Sequence, residues 1–138
     1  MTIHAFTDGA SRGNPGEAGV GVVLKDEQGK KISSVFGHVG STTNNAAEYK
    51  ALIACLKLVA KTQCHRLVVH SDSELMVRQV KGEYKVKDEE IRKHFQQVFE
   101  QLENVPYEFE IVHIAREDNK DADQLANLGI ETRRPLRV

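Results

Sequence analysis

The sequence predicts a single α/β domain built on a mixed sheet, and three observations predict it. Three extended segments with short turns between them come first. Helical and strand-like segments then alternate to the end of the chain, the order expected of parallel strands joined by crossover helices. No repeat, low-complexity tract or linker interrupts the series. The expected architecture is a five-stranded sheet, three antiparallel strands followed by two parallel ones, flanked by helices. Residues 1–131 are expected to form the domain, and residues 132–138 a basic tail that frays.

The elements follow in order. Thr2 to Asp8 alternates as a strand, with Ile3, Ala5 and Thr7 on one side and His4, Phe6 and Asp8 on the other. Gly9 to Gly16 is turn-rich, and a second strand runs from about Ala18 to Lys25. Asp26-Glu27-Gln28-Gly29 reads as a hairpin turn, returning as a strand from Lys30 to Val39. Thr42 to Asn45 supplies several cap candidates for a helix reaching about Lys61, whose apolar face carries Glu48, Leu52, Cys55, Leu56 and Val59. Leu67 to Ser71 is a short apolar strand. Asp72-Ser73 is expected to cap a helix from Glu74 to Val80. A connection, Lys81 to Lys87, leads to a helix over Asp88 to Leu102, striped by Ile91, Phe95, Val98, Phe99 and Leu102. Tyr107 to Ile114 is the last strand and Asn119 to Ile130 the last helix.

Composition excludes little. The chain has 138 residues, 19 Lys and Arg against 20 Asp and Glu, and a formal net charge of -1. That balance exerts no global pull on nucleic acid or anionic membrane, although a local basic face remains compatible with it. The N-terminal residues lack a signal-peptide pattern, and no apolar run approaches the roughly 20 residues of a membrane span. Cys55 and Cys64 do not resemble a disulfide framework or a metal-binding CxxC pair, so two reduced thiols in a cytoplasmic protein are expected.

Four acids stand out. Asp8 ends a strand before Gly9, and Asp72 ends another before a helix. Asp123 lies beside Ala122, Leu125 and Ala126 on the last helix. Singly, these three read as a turn residue, a cap and a solvated helix charge. Glu48 resists that treatment, because an uncompensated carboxylate on a buried face is expensive and no Lys or Arg lies one turn before it. In open α/β sheets ligands sit at the carboxyl ends of strands. If Asp8, Glu48 and Asp72 converge there, they repel one another until cations join them. Oxygen donors select Mg²⁺ or Mn²⁺ rather than zinc, and two such ions can clamp a phosphodiester.

These residues fall within four motifs: Thr7-Asp8-Gly9-Ala10-Ser11-Arg12-Gly13-Asn14-Pro15-Gly16, Thr42-Thr43-Asn44-Asn45-Ala46-Ala47-Glu48, Ser71-Asp72-Ser73, and Asn119-Lys120-Asp121-Ala122-Asp123-Gln124-Leu125-Ala126. In this order, over nearly the whole chain, they resemble type 1 ribonuclease H, and the resemblance implies a ribonuclease H-like fold. It implies that Asp8, Glu48, Asp72 and Asp123 hold two Mg²⁺ ions, with Mn²⁺ as a substitute. Asp123 fits the family's fourth position and Asp121 does not. The implied reaction hydrolyses the RNA strand of an RNA–DNA hybrid, leaving 5′-phosphate and 3′-hydroxyl ends. Gly9, Asn14 and Asn45 match positions that read the RNA strand near its 2′-hydroxyls, the group that separates RNA from DNA.

Three departures from the family pattern shape further expectations. The basic helical extension of many members shrinks to Lys81-Gly82-Glu83-Tyr84-Lys85-Val86-Lys87, where Lys85 and Lys87 remain candidates for phosphate contact. Fewer contacts predict a shallower salt dependence. The long histidine loop shrinks to His113-Ile114-Ala115-Arg116-Glu117-Asp118-Asn119, resembling a compact subgroup in which Arg replaces the histidine. Arg116 is thus the first candidate for assisting phosphate departure and His113 the second. Glu74 stands where a neutral residue is common, and the helix dipole favours it there. A proofreading exonuclease would carry an acid where Ala10 stands, and an integrase or resolvase has no need of the Gly-Asn-Pro-Gly loop. A catalytically impaired module binding hybrid or double-stranded RNA is the remaining alternative, opposed by the presence of all four acids. The expected partners are RNA–DNA hybrid and, given the compact surface, double-stranded RNA, with no membrane; the expected state is a monomer.

Overall fold

Side-chain alternation along the first strand decides what each face of the sheet meets. In the computed structural model, which describes all 138 residues, β1 spans Thr2–Ser11, β2 Gly16–Lys25, β3 Lys31–Thr42, β4 Arg66–Ser71 and β5 Glu108–His113. The order across the sheet is β3-β2-β1-β4-β5. The β1–β2 and β2–β3 pairs are antiparallel, and the β1–β4 and β4–β5 pairs parallel. The predicted mixed sheet is therefore the observed one.

Four α-helices flank it: α1 (Asn44–Val59), α2 (Glu74–Val80), α3 (Glu89–Leu102) and α4 (Lys120–Thr132). Ile3 and Ala5 of β1, Val22 and Leu24 of β2, and Leu67 and Val69 of β4 are buried with α1 in one core. Helix α1 is covered on nearly all sides, by the sheet and by α3, so its buried residues exceed one stripe. Small side chains at Ala46, Ala47, Ala51 and Ala54 permit that. The Tyr49 hydroxyl donates to Gln79 Oε1 at 2.8 Å, fastening α1 to α2 with both groups buried. Helix α4 takes the opposite face, over β2, β3 and β1. It lies so close that a Cβ on Gly21 would sit 2.4 Å from the Ala122 carbonyl oxygen. No helix is long and apolar enough to cross a membrane.

The structure corrects several local expectations. Strand β1 does not end at Asp8. Its parallel pairing with β4 stops at Thr7–Ser71, but its antiparallel pairing with β2 continues to Ser11–Ala18. Asp72 does not cap α2; the Ser73 hydroxyl does, accepting from the Met76 N–H at 3.2 Å. The α3 stripe is narrower than its apolar spacing suggests: Ile91 and Val98 are buried, while Phe99 stays exposed against Phe95. The tail does not fray. His38 N–H donates to the Arg134 carbonyl at 2.7 Å, Leu136 N–H donates to the His38 carbonyl at 3.3 Å, and Leu136 packs on Gly37.

Candidate active site

Two strand ends and two helices bring the acids together. Thr7 and Ser71 are the last parallel partners of β1 and β4, so Asp8, still within β1, and Asp72, just past β4, stand side by side where the two strands part. Thr43 opens α1 by accepting the Ala46 N–H at 3.2 Å, which places Glu48 in the second turn, above β1. Glu48 comes down onto β1 because Gly9 lacks a side chain. A Cβ there would lie 2.2 Å from the Ala47 carbonyl carbon. In that space the Gly9 N–H donates to Glu48 Oε1 at 3.0 Å. Carboxylate oxygens of Asp8, Glu48 and Asp72 all lie within 4.8 Å of one another.

Asp123 enters from the other face of the sheet. It stands in the first turn of α4, half-buried, and lines the same cleft as the other three acids. Asn119 positions that turn: its Nδ2 donates to the Thr7 carbonyl at 2.9 Å, with the residue almost fully buried. Asn127 Nδ2 donates to Asp123 Oδ1 at 3.3 Å one turn later. Arg116, in a 3₁₀ turn spanning Arg116–Asp118, completes the cleft wall with Asn44 and Ser73.

Burial and like charge act in the same direction here. Asp8 is 5% exposed, and its carboxyl titrates far above the carboxylate range because burial disfavours its anion, with Glu48, Asp72 and Asp123 adding to the effect. Glu48 is 4% exposed and is raised likewise, first by burial and then by Asp72. The Gly9 N–H and the Arg116 guanidinium oppose that rise. Arg116 is thus the cation whose absence one turn before Glu48 made that residue conspicuous; it arrives from a distant loop.

The other predicted residues divide. Gly9 lines the cleft. Asn14 is exposed on the β1–β2 turn, where its Oδ1 accepts the Asn44 N–H at 3.2 Å and joins that turn to the start of α1. Asn45 is half-buried, its Oδ1 enclosed without a partner, and it is Asn44 that borders the cleft. His113 ends β5, exposed and outside the cleft lining. Lys85 and Lys87 are exposed on the α2–α3 connection, also outside that lining. Sequence reasoning missed Asn119 as a positioning residue; its only signal was an Asn opening the fourth motif.

The donor set suits hard divalent cations. All the converging ligand groups are carboxylates, none is thiolate or imidazole, and their mutual repulsion is what bound positive charge relieves.

Comparisons with known proteins agree with this arrangement. Residues 6–129 match a family model described as reverse transcriptase-like. A ribonuclease HI of Halobacterium salinarum is 37% identical over 129 residues, covering 94% of this chain. The bifunctional protein Rv2228c of Mycobacterium tuberculosis is 38% identical over 131 residues. The chain spans only 64% of the first relative's length and 35% of the second's. The crystal structure of RNase H1 from H. salinarum superposes with a TM-score of 0.90 at 36% identity, covering 96% of this chain and 99% of that one. LC11-RNase H1, a compost-derived protein crystallised with an RNA/DNA hybrid, superposes at 0.88 with 43% identity, covering 94% and 97%. By sequence across residues 6–129 and by strand order and backbone across nearly all its length, the chain belongs to the type 1 ribonuclease H family.

Proposed function

We propose that the protein is an endoribonuclease that hydrolyses the RNA strand of RNA–DNA hybrids, leaving 5′-phosphate and 3′-hydroxyl ends. The observation that carries this reading is the crowding of Asp8, Glu48 and Asp72 in one cleft, where the Gly9 N–H and the Arg116 guanidinium offset only part of their negative charge. Those three residues and Asp123 would hold two Mg²⁺ ions, with Mn²⁺ as a substitute. Such ions, when bound, supply an activated water and charge stabilisation at the leaving oxygen.

The chain's own residues do the rest. Gly9 N–H and Arg116 keep Glu48 oriented into the cleft. Asn119 ties the start of α4 to β1, so that Asp123 faces Asp8. Arg116, which lines the cleft wall, would neutralise a phosphate that gains charge as it departs; His113 is the second candidate, less favoured because it lies outside that wall. Asn14, Asn45 and the Gly9 backbone would read 2′-hydroxyls, the two amides as Nδ2 donors, since Asn14 Oδ1 already accepts the Asn44 N–H and Asn45 Oδ1 is enclosed. Lys85 and Lys87 contribute phosphate contacts beyond it. Residues 1–131 carry this activity as one domain, with 132–138 a basic tail, in a monomer of the cytoplasm.

The test is cleavage of labelled hybrid, double-stranded RNA, single-stranded RNA and duplex DNA, with Mg²⁺ and then with EDTA. Hybrid cleavage with Mg²⁺ only is expected. Equal cutting of duplex DNA overturns the substrate assignment, and tight binding without cutting favours a catalytically impaired module. Double-stranded RNA is expected as a slower second substrate, because it shares A-form geometry; its complete resistance would remove that part.

A further inference from the structure

A second concave site lies on the side of α1 turned away from Glu48. Lys50 and Lys57 lie seven residues apart on one face of α1, and Lys61 follows in the turn just past its end, beside the same concave site. Lys50 is two residues from Glu48 and therefore about 200° around the helix from it. The three lysines border a cavity of about 660 Å³ between α1, α3 and the chain's last residues, a size that suits a small ligand. Arg137 adds a fourth cation, and no Asp or Glu side chain lines the cavity.

Two features separate this cluster from an ordinary solvated helix face, beyond the lack of an ion-pair partner that its four cations share with most Lys and Arg of the chain. The cations surround a concavity with an apolar lining, to which Ile53, Ala54 and Leu136 contribute. The ring of His94, from α3, also lines the cavity, and its Nε2 is enclosed without a hydrogen-bond partner. A buried ring nitrogen with no partner is costly unless something supplies one. Burial, followed by the neighbouring Lys50, disfavours protonation of that ring, and an anion in the cavity would relieve the second effect.

We propose that this cavity binds a phosphorylated small molecule of nucleotide size. Its phosphates lie among Lys50, Lys57, Lys61 and Arg137, where His94 Nε2–H donates to a phosphate oxygen, and its apolar part rests on Ile53, Ala54 and Leu136. A nucleic-acid backbone is the less apt occupant, because the site is a local concavity behind the helix that carries Glu48 and not a continuation of the carboxylate cleft.

The experiment titrates the full chain, in EDTA, with ATP and separately with inorganic tripolyphosphate, by calorimetry and by amide chemical-shift mapping. EDTA keeps phosphate away from metal at the carboxylate cleft. Saturable one-site binding of ATP is expected, with shifts confined to residues 50–61 in and just after α1, the 94–97 segment of α3 and the last three residues. Tripolyphosphate should bind more weakly, since it leaves the apolar lining unused. The double variant Lys57→Glu/Lys61→Glu, at two exposed positions, should weaken ATP by about tenfold or more. Its thermal midpoint and hybrid cleavage should match the parent. Absence of saturable binding, unchanged affinity in the double variant, or shifts centred on Asp8 and Glu48 would overturn the site. Equal affinity for tripolyphosphate would overturn the nucleotide-sized ligand. Weakened hybrid binding by the double variant would reassign the lysines to a nucleic-acid contact and overturn the proposal.

Discussion

Replacing Gly9 by Ala tests whether the acidic cleft depends on close approach of β1 and α1. The added methyl group would sit 2.2 Å from the Ala47 carbonyl carbon, 2.3 Å from its oxygen and 2.4 Å from the Glu48 nitrogen. Ordinary contact begins near 3.4 Å, so the strand and helix must separate by more than an ångström. All three obstacles are backbone, and no side-chain rotation relieves them. Overpacking of this kind costs about 1–3 kcal/mol, and a rigid backbone places this case at the upper end. For a chain of this size that lowers Tm by roughly 10 °C. The same separation stretches the 3.0 Å bond from Gly9 N–H to Glu48 and moves that carboxylate away from Asp8 and Asp72. A displacement of about 1 Å at a reacting centre costs about a hundredfold in rate. Urea midpoints and Mg²⁺-dependent hybrid cleavage would be measured beside Gly40→Ala. That control sits at φ 80° in open space, so it incurs backbone strain of about 1 kcal/mol and should keep full activity. Wild-type stability and rate in Gly9→Ala would refute the packing argument. Normal stability with a raised KM alone would assign Gly9 to substrate contact instead.

Three further outcomes are expected. In EDTA, Asp8 and Glu48 titrate higher in the folded chain than in the unfolded one, so the folded state holds extra protons and stability falls as pH rises from the ordinary carboxylate range through about 8 for Glu48 and about 9 for Asp8. The slope is up to about 1.4 kcal/mol per pH unit for each retained proton. Saturating Mg²⁺ should flatten it, whereas Asp8→Asn should remove only the Asp8 share, because burial and Asp72 still raise Glu48, and Asp8→Asn should also abolish cleavage; a metal-free stability that climbs over this range would contradict the crowding. Arg116→Ala should slow hybrid cleavage by about tenfold to a hundredfold, the value of one hydrogen bond to a charged group, while leaving Mg²⁺ affinity nearly intact. An unchanged rate, with His113→Ala slow instead, would transfer the role. Asn119→Ala removes the donor to the Thr7 carbonyl and should cost about 1–3 kcal/mol in urea unfolding, together with a loss of turnover as Asp123 drifts from Asp8; full activity would show that α4 is positioned by packing alone.

Elements whose contacts are mostly local are legible in the sequence. The alternation of Thr2 to Asp8, the Asp26–Gly29 turn and the spacing within α3 each depend on neighbours in sequence, and each was placed within a few residues. Glu48 announced itself because a carboxylate in an apolar helical stripe conflicts with burial. What escaped depends on partners far along the chain. Strand β1 outlasts Asp8 because β2 still pairs with it, which no single strand's pattern records. Asp72 and Ser73 are equally good caps by type; only the parallel strand end, which directs Asp72 into the cleft, decides between them. Asn119 looked like a helix start because its real acceptor, Thr7, is more than a hundred residues away. Six residues of basic and apolar tail gave no sign that β3 would hold them.

That last attachment bears on self-association. β3 is an outermost strand of the sheet, and outermost strands present unpaired amide and carbonyl groups to any passing chain. Arg134 and Leu136 occupy those groups at His38, and a bridge between His38 and Pro135 lays the tail alongside the strand. Pro135 has no amide hydrogen to offer a further strand, so the added segment ends the ladder at that point and does not extend it. At His38 the tail thus takes the place that a strand of another molecule would need.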